Sequence, residues 1–222
     1  MKRKVVVLVS GGLDSVCALH EVATVHKVVA GVSFDYGAKH NHREIPFAAL
    51  HCQRLGVRHE IICLDFIGEH FRSALLQTGA GIPDAHYEAP AMKQTIVPFR
   101  NGIFLAAAAG FAESVGANAM VIAAHAGDHA IFLDCRAEFM DAMSAAIRLG
   151  TDSSVEILRP FIRFSKAQIV QRGQELGVHL AETWTCYKGN DRHCGTCGAC
   201  VERREAFSLA DVPDSTLYLS NE

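Results

Sequence analysis

The stretch Val5-Val6-Val7-Leu8-Val9-Ser10-Gly11-Gly12-Leu13-Asp14-Ser15 decides the fold. Five consecutive β-branched or Leu residues are too short a run for a buried helix and suit a strand covered on both faces. The Gly pair then breaks the strand. From Gly12 to Val25 the apolar positions Val16, Leu19 and Val22 recur at helical spacing. Strand, tight turn and helix follow one another within some twenty residues.

The same unit returns downstream. Val28 to Phe34 reads as a strand, about His42 to Leu55 as a helix closed by Gly56, and Glu60 to Phe66 as a third strand. A helix over Gly102 to Val115, a strand at Ala119 to Ala124 and a helix over about Ala137 to Leu149 extend the series. Alternating strands and helices predict an α/β fold with a doubly wound, mostly parallel, Rossmann-like sheet and right-handed crossovers. Residues 78–94 carry Gly79, Gly81, Pro83 and Pro90 without periodicity, which suggests a surface loop or a lid. The last forty residues are rich in Cys, Gly and charge. The expected division is 1–180 for the nucleotide domain and 181–222 for a small metal-stapled helical subdomain.

In an open parallel sheet, ligands sit at the carboxyl ends of strands, where Ser10-Gly11-Gly12 meets a helix start. Glycines permit close backbone approach, and the free N–H groups with the helix dipole attract an anion. Ser10 and Ser15 add hydroxyls. Asp14 would repel a bare phosphate, so it either orients the loop or meets a magnesium ion travelling with a nucleotide. No Gly-Lys-Ser/Thr and no Gly-x-Gly-x-x-Gly follows the strand, which removes the two common nucleotide loops. Taken alone, the segment is also compatible with a plain strand-to-helix turn in which Ser and Asp act as caps.

The balance of 21 basic and 24 acidic residues leaves a net charge of −3, with no basic run to neutralise a phosphate backbone. Nucleic acid is therefore not an expected partner. Apolar stretches are interrupted by Gly, His or charge before the roughly 20 residues a span requires, so no membrane association is expected. The chain reads as cytoplasmic, and its eight cysteines as reduced thiols rather than a disulfide framework. Cys17, Cys52, Cys63 and Cys135 are scattered among apolar residues. Cys186, Cys194, Cys197 and Cys200 fall within fifteen positions, with Gly189, Gly195 and Gly198 to let the backbone wrap one centre. Four thiolates and no His suit tetrahedral zinc, with an iron–sulfur cluster as the competing reading. With all four positions filled by protein, the zinc would be structural.

Ser-Gly-Gly-Leu-Asp-Ser after an amino-terminal strand resembles the pyrophosphatase loop of the N-type ATP pyrophosphatase superfamily. With Phe34-Asp35-Tyr36-Gly37, His40, Glu44, Val97-Pro98-Phe99-Arg100-Asn101, Asp134-Cys135-Arg136, Glu138-Phe139, Trp184 to Gly189 and Val201-Glu202-Arg203, the chain resembles the QueC family of 7-cyano-7-deazaguanine synthases along nearly its whole length. The resemblance implies an ATP-dependent C–N ligase that adenylates 7-carboxy-7-deazaguanine. Ammonia then displaces AMP to give the amide, and a second ATP activates the amide oxygen to leave the nitrile, 7-cyano-7-deazaguanine.

The same resemblance implies that Val9, Ser10, Gly11, Gly12, Leu13, Asp14 and Ser15, with Phe34 and Tyr36, hold ATP and Mg²⁺. Ser10, Asp14, Ser15, Arg100 and Lys188 are the expected catalytic groups. Arg100, Asn101, Asp128, Phe132, Asp134 and Arg136 are the expected substrate contacts, Arg100 as a two-pronged partner of carboxylate or phosphate. Asp134 and Arg136 would read the heterocycle edge or form a surface ion pair. Lys188 and Arg192 would neutralise phosphate or remain solvated. His125, Asp128 and His129 have metal-like spacing but follow a strand end, where such residues commonly cap or line a site. A homodimer is the implied assembly.

Two alternatives accompany this reading. One adenylates the same acid and transfers it to another amine, including one on a protein; the other is a zinc-stapled nucleotide-binding module without catalysis. The chain departs from its family's pattern in one place: Phe132-Leu133 stand where Tyr-Pro is usual, and Ala137 where Pro is usual. The loss of a hydroxyl and two rigid backbone positions predicts that recognition of the deazaguanine persists but that the second activation is slower than the first, or is replaced by transfer to another amine.

Overall fold

The computed structural model describes residues 2–125 and 131–219. Five strands form one parallel sheet in the order β3-β2-β1-β4-β5. They are β1 (Lys4–Leu8), β2 (Lys27–Asp35), β3 (His59–Cys63), β4 (Ala119–Val121) and β5 (Glu156–Leu158). The helices are α1 (Leu13–Val25), α2 (Asn41–Arg54), α3 (Asp65–His70), α4 (Arg100–Ser114), α5 (Ala137–Gly150), α6 (Lys166–Glu175) and α7 (Gly198–Leu209).

Strand β1 explains why its sequence is apolar without alternation. Val5, Val7 and Val9 pack with α1, α6 and α7 through Leu19, Ile169 and Phe207. Val6 and Leu8 point the other way, into a core with Leu105 and Ala108 of α4 and Met140 and Ile147 of α5. The three-layer α/β fold expected from the strand–helix alternation is the one observed. The chain winds outward through β2 and β3, then returns to place β4 on the other side of β1. That reversal opens a crevice at the carboxyl ends of β1 and β4.

The structure differs from the sequence reading at several ends. The third strand stops at Cys63, because Asp65 and Phe66 begin the short α3. Strand β4 ends at Val121, although the Ile122 N–H still donates to the Leu158 carbonyl at 3.1 Å. Strand β5, at three residues, gave no periodic signal. Helix α6 is introduced by a capping box: Ser165 Oγ accepts from the Gln168 N–H and the Gln168 side chain accepts from the Ser165 N–H.

Residues 90–95 form a 3₁₀ turn inside the expected loop, and Met92 and Thr95 are buried there. Among the described residues, 90–114 is the one stretch long and apolar enough to cross a membrane. It is broken at residues 96–99, and Leu105, Ala108, Ala109 and Ala112 of its helical part lie in the sheet core. Helix α7 packs on α6, with Ala206, Phe207 and Ala210 in the same core as α1.

Candidate active site

A cleft of about 230 Å³ lies over the crevice between β1 and β4. Its floor is the turn from β1 into α1. Gly11 adopts φ +99°, and a Cβ there would collide with the Glu44 carbonyl of α2. Only glycine allows the turn to approach α2 this closely. The turn is held by its own hydroxyls: Ser15 Oγ accepts from the Ser10 N–H at 3.1 Å, and Ser10 Oγ accepts from the Gly12 N–H at 3.1 Å. Ser15 Oγ donates to the Gly12 carbonyl at 3.0 Å. The Trp184 N–H donates to the Gly11 carbonyl at 2.9 Å, which pins the carboxyl-terminal segment to the turn.

Asp14 opens α1 and faces the cleft. Its Oδ2 receives the Lys166 ammonium of α6 at 2.6 Å and lies 3.7 Å from His125 Nε2. Burial alone would push the Asp14 carboxyl up, but Lys166 and His125 outweigh it and hold the pKa below the ordinary value. Lys166 also meets Glu202 of α7 at 3.3 Å. These pairings tie the turn to α6 and α7 and give Asp14 an orienting partner.

Arg100 enters from the start of α4, over the Phe104 ring at 5.8 Å. Burial opposes its charge, but the neighbouring Tyr36, Tyr187, Cys135 and Asp134 keep it firmly protonated. Asn101 donates from Nδ2 to Cys135 Sγ at 3.1 Å. The residue before Arg100, Phe99, caps the helix in the left-handed region at φ 54°. Phe34 stacks on Phe104 at 4.4 Å, and Tyr36 meets the same ring edge-on at 5.2 Å. Tyr87 and Phe132, which also line the cleft, lie 5.9 Å apart. Aromatic rings in the lining suit planar heterocycles.

Among the expected residues, Val9, Ser10, Gly12, Leu13, Asp14, Ser15, Phe34, Tyr36, Arg100, Asn101 and Phe132 line this cleft. Gly11 supports it from behind. Asp134 does not line it: its Oδ2 accepts from the Asn101 N–H at 2.9 Å and so caps α4. Arg136 is exposed at the start of α5. Lys188 also lies outside the lining, donating to Asp84 Oδ1 at 2.6 Å. Asp128 and His129 fall outside the described residues.

Sequence reasoning missed Lys166 and Tyr87, which line the cleft, and gave no role to Glu44, His40, Tyr187 or Glu202. Lys166 stands 152 residues from Asp14, so no local pattern could pair them.

Beside the cleft, Cys186, Cys194, Cys197 and Cys200 are all buried and their sulfurs lie within 4.8 Å of one another. Cys194 Sγ and Cys200 Sγ are 3.8 Å apart, the edge of a tetrahedron with bonds of about 2.3 Å. Backbone N–H groups of Thr196 and Cys197 point at Cys194 Sγ at 3.5 and 3.2 Å. The residues present fit a single soft ion.

A family model described as queuosine biosynthesis protein QueC matches residues 4–211. A curated relative named 7-cyano-7-deazaguanine synthase, from Porphyromonas gingivalis strain W83, is 53% identical over 212 residues, 96% of each chain. One of the same name from Desulfotalea psychrophila is 48% identical over 214 residues, covering 96% of this chain and 98% of its own. Solved structures with the same fold include a U34-tRNA thiolase, NcsA, from Methanococcus maripaludis with its [4Fe-4S] cluster (TM-score 0.55, 12% identity, 95% of this chain and 66% of that one). An NMN synthetase from Francisella tularensis gives TM-score 0.53 at 13% identity over 96% of this chain and 79% of its own. The match is continuous from the first strand through the cysteine segment, and the chain belongs to the QueC family.

Proposed function

We propose that this chain converts 7-carboxy-7-deazaguanine and ammonia to 7-cyano-7-deazaguanine at the expense of two ATP, each split to AMP and pyrophosphate. The observation that carries the reading is convergence. The Ser10–Ser15 turn, the Arg100 guanidinium and the aromatic rings of Phe34, Tyr87 and Phe132 meet in one cleft, and relatives at about half identity bear the name of this activity.

In this reading the amino end of α1, through its helix dipole and first-turn N–H groups, binds phosphate. Mg²⁺ accompanies the nucleotide and neutralises charge on the departing pyrophosphate. Ser10 and Ser15 fix the turn, and Asp14, paired with Lys166, fixes its direction. Arg100 orients the carboxylate for attack on the α-phosphorus, and the adenylate it forms is open to nitrogen. Phe34 and Tyr36 line the nucleotide side, and Phe132 with Asn101 the heterocycle side. Asp134 acts through its cap on Asn101. Asp128 and Arg136 are further proposed substrate contacts. Lys188 acts by tying residues 78–90 to the cysteine segment.

The four cysteines hold a structural zinc, which supplies folding free energy to residues 181–222. The close sulfur spacing supports one ion over a cluster, whose thiolates sit on separate iron atoms. Residues 1–180 supply the nucleotide site, the enzyme works in the cytoplasm, and a homodimer is the proposed assembly. No relative described above bears a name that points to transfer onto a protein amine or to a binding module without catalysis.

Mass spectrometry of the product from the acid, ATP, Mg²⁺ and ammonium tests the reading. The nitrile is expected. Absence of ATP–pyrophosphate exchange dependent on the acid would overturn it.

A further inference from the structure

We propose that Glu44 is the base that takes protons from the attacking nitrogen and, in the second half-reaction, from the amide nitrogen. This rests on the function proposed above.

Glu44 projects from α2 into the cleft, with its side chain 15% exposed. Its Oε1 lies 3.3 Å from where a Cβ on Gly12 would stand, beside the turn that binds phosphate. Arg100 faces it from α4, Asp14 from α1 and Lys166 from α6, and Nε2 of His40, the residue before α2, lies 3.7 Å from Oε2. Among the described residues no hydrogen bond reaches the carboxyl. It is therefore uncommitted within the chain, at the junction of the phosphate turn and the guanidinium between which the reacting carbon must sit.

The chemistry of this spot supports the assignment. Burial is the main cause that pushes the Glu44 carboxyl up to about 8; Asp14 adds to it, and Arg100 and Lys166 pull the other way. An acid of that strength is matched to ammonium near neutral pH, whereas an ordinary glutamate is too weak a base. His40 cannot substitute, because burial and Arg100 push it down to about 3. Asp14 is engaged by Lys166.

The steps balance. Ammonium yields a proton to the Glu44 carboxylate, and ammonia attacks the adenylated carbon. The C–O bond pair leaves with AMP, and the added nitrogen loses one further proton to give the amide. In the second half-reaction the amide oxygen bonds to the α-phosphorus of ATP and pyrophosphate departs. The nitrogen then loses two protons in turn; the second N–H pair becomes the third C–N bond as the C–O pair leaves with AMP. Each proton passes from Glu44 to water at the open side of the cleft.

The experiment compares the full chain with Glu44→Gln and Glu44→Asp in three assays: ATP–pyrophosphate exchange with 7-carboxy-7-deazaguanine, amide formation from ammonium, and trapping with hydroxylamine. Hydroxylamine is already unprotonated at neutral pH and needs less help from a base. For Glu44→Gln we expect exchange within about threefold of the parent, amide formation reduced on the order of 100-fold or more, and trapping largely retained. The parent's amide-forming rate should rise with pH to a midpoint near 8, and Glu44→Gln should lose that limb while Glu44→Asp keeps it. Equal loss of exchange and amide formation would overturn the assignment by placing Glu44 in nucleotide binding. Unchanged amide formation would also overturn it. Failure of exchange in the parent would instead remove the function on which the inference rests.

Discussion

Replacing Lys166 with Met tests the network under the phosphate turn. The Lys166, Asp14 and Glu202 side chains are 14, 22 and 15% exposed, so this is a mostly buried ion pair flanked by a second acid. Removing the cation leaves Asp14 charged, largely desolvated and short of its nearest partner. Breaking a buried pair costs about 3–5 kcal/mol, and the residual exposure argues for the lower end, about 3 kcal/mol. For a chain of this size that is a fall in Tm of roughly 6–12 °C.

The pH dependence follows from the sign of the shift. Asp14 is held below its ordinary pKa in the folded parent, so its stabilisation is present above the ordinary aspartate range. That stabilisation is lost as pH falls through the lowered value. The gap between parent and Lys166→Met should therefore be widest at neutral pH and close in acid. Adding Asp14→Asn should recover about 2 kcal/mol relative to additivity, because the stranded charge is gone. Thermal unfolding at several pH values reads all of this, with exposed Lys2→Met as control. A Lys166→Met variant no less stable than Lys2→Met, or a double variant that is simply additive, would refute the reasoning.

Gly11→Ala should abolish acid-dependent ATP–pyrophosphate exchange, because a Cβ at φ +99° meets the Glu44 carbonyl; normal exchange would show that the turn does not bind pyrophosphate. Cys197→Ser should lower metal content and stability together, from about one zinc per chain; metal analysis alongside thermal unfolding checks it, and iron in anaerobically purified protein would contradict the choice of metal. Glu44→Gln should flatten a loss of stability in the unliganded parent as pH rises from 4.5 to about 8, since a raised carboxyl pKa favours the fold in acid and penalises it as the group ionises. The difference at pH 8 should reach a few kcal/mol, and equal pH profiles in chemical denaturation would count against it. Phe132→Tyr with Leu133→Pro should shorten the life of the amide intermediate in a rapid-quench time course; an unchanged or absent amide transient would remove the role assigned to this segment.

The parts of the fold that the sequence disclosed are those where one local feature dominates. Val5 to Val9 could only be a strand covered on both faces, and the Gly pair after it could only be a turn. The four cysteines announced their own convergence by spacing. What stayed hidden depends on distance along the chain. Strand β5 has three residues, too few for a period, and is fixed by pairing with β4. The Ser165–Gln168 capping box is legible as Ser-x-x-Gln and starts the helix that carries Lys166, but nothing local tells which acid that lysine meets. Glu44 and His40 were visible as motif residues, but their chemistry comes from burial beneath Arg100 and the turn, which only the packed structure supplies. Lys188 misled because a cation near cysteines fits phosphate as well as it fits an aspartate on a neighbouring loop.

The link between residues 78–90 and the cysteine segment has a consequence for how this enzyme would fail. Asp84 pairs its backbone with Cys197 and its carboxyl with both Lys188 and Thr196. Tyr87, three residues on, packs its backbone against Gly198 and turns its ring to Phe132 in the cleft. The cysteine centre and the heterocycle side of the cleft thus share one wall, a single layer of chain thick. Damage to the sulfurs is then more than a loss of stability. It is also a change in the shape of the cleft proposed to hold the substrate, felt while the sheet beneath is still intact.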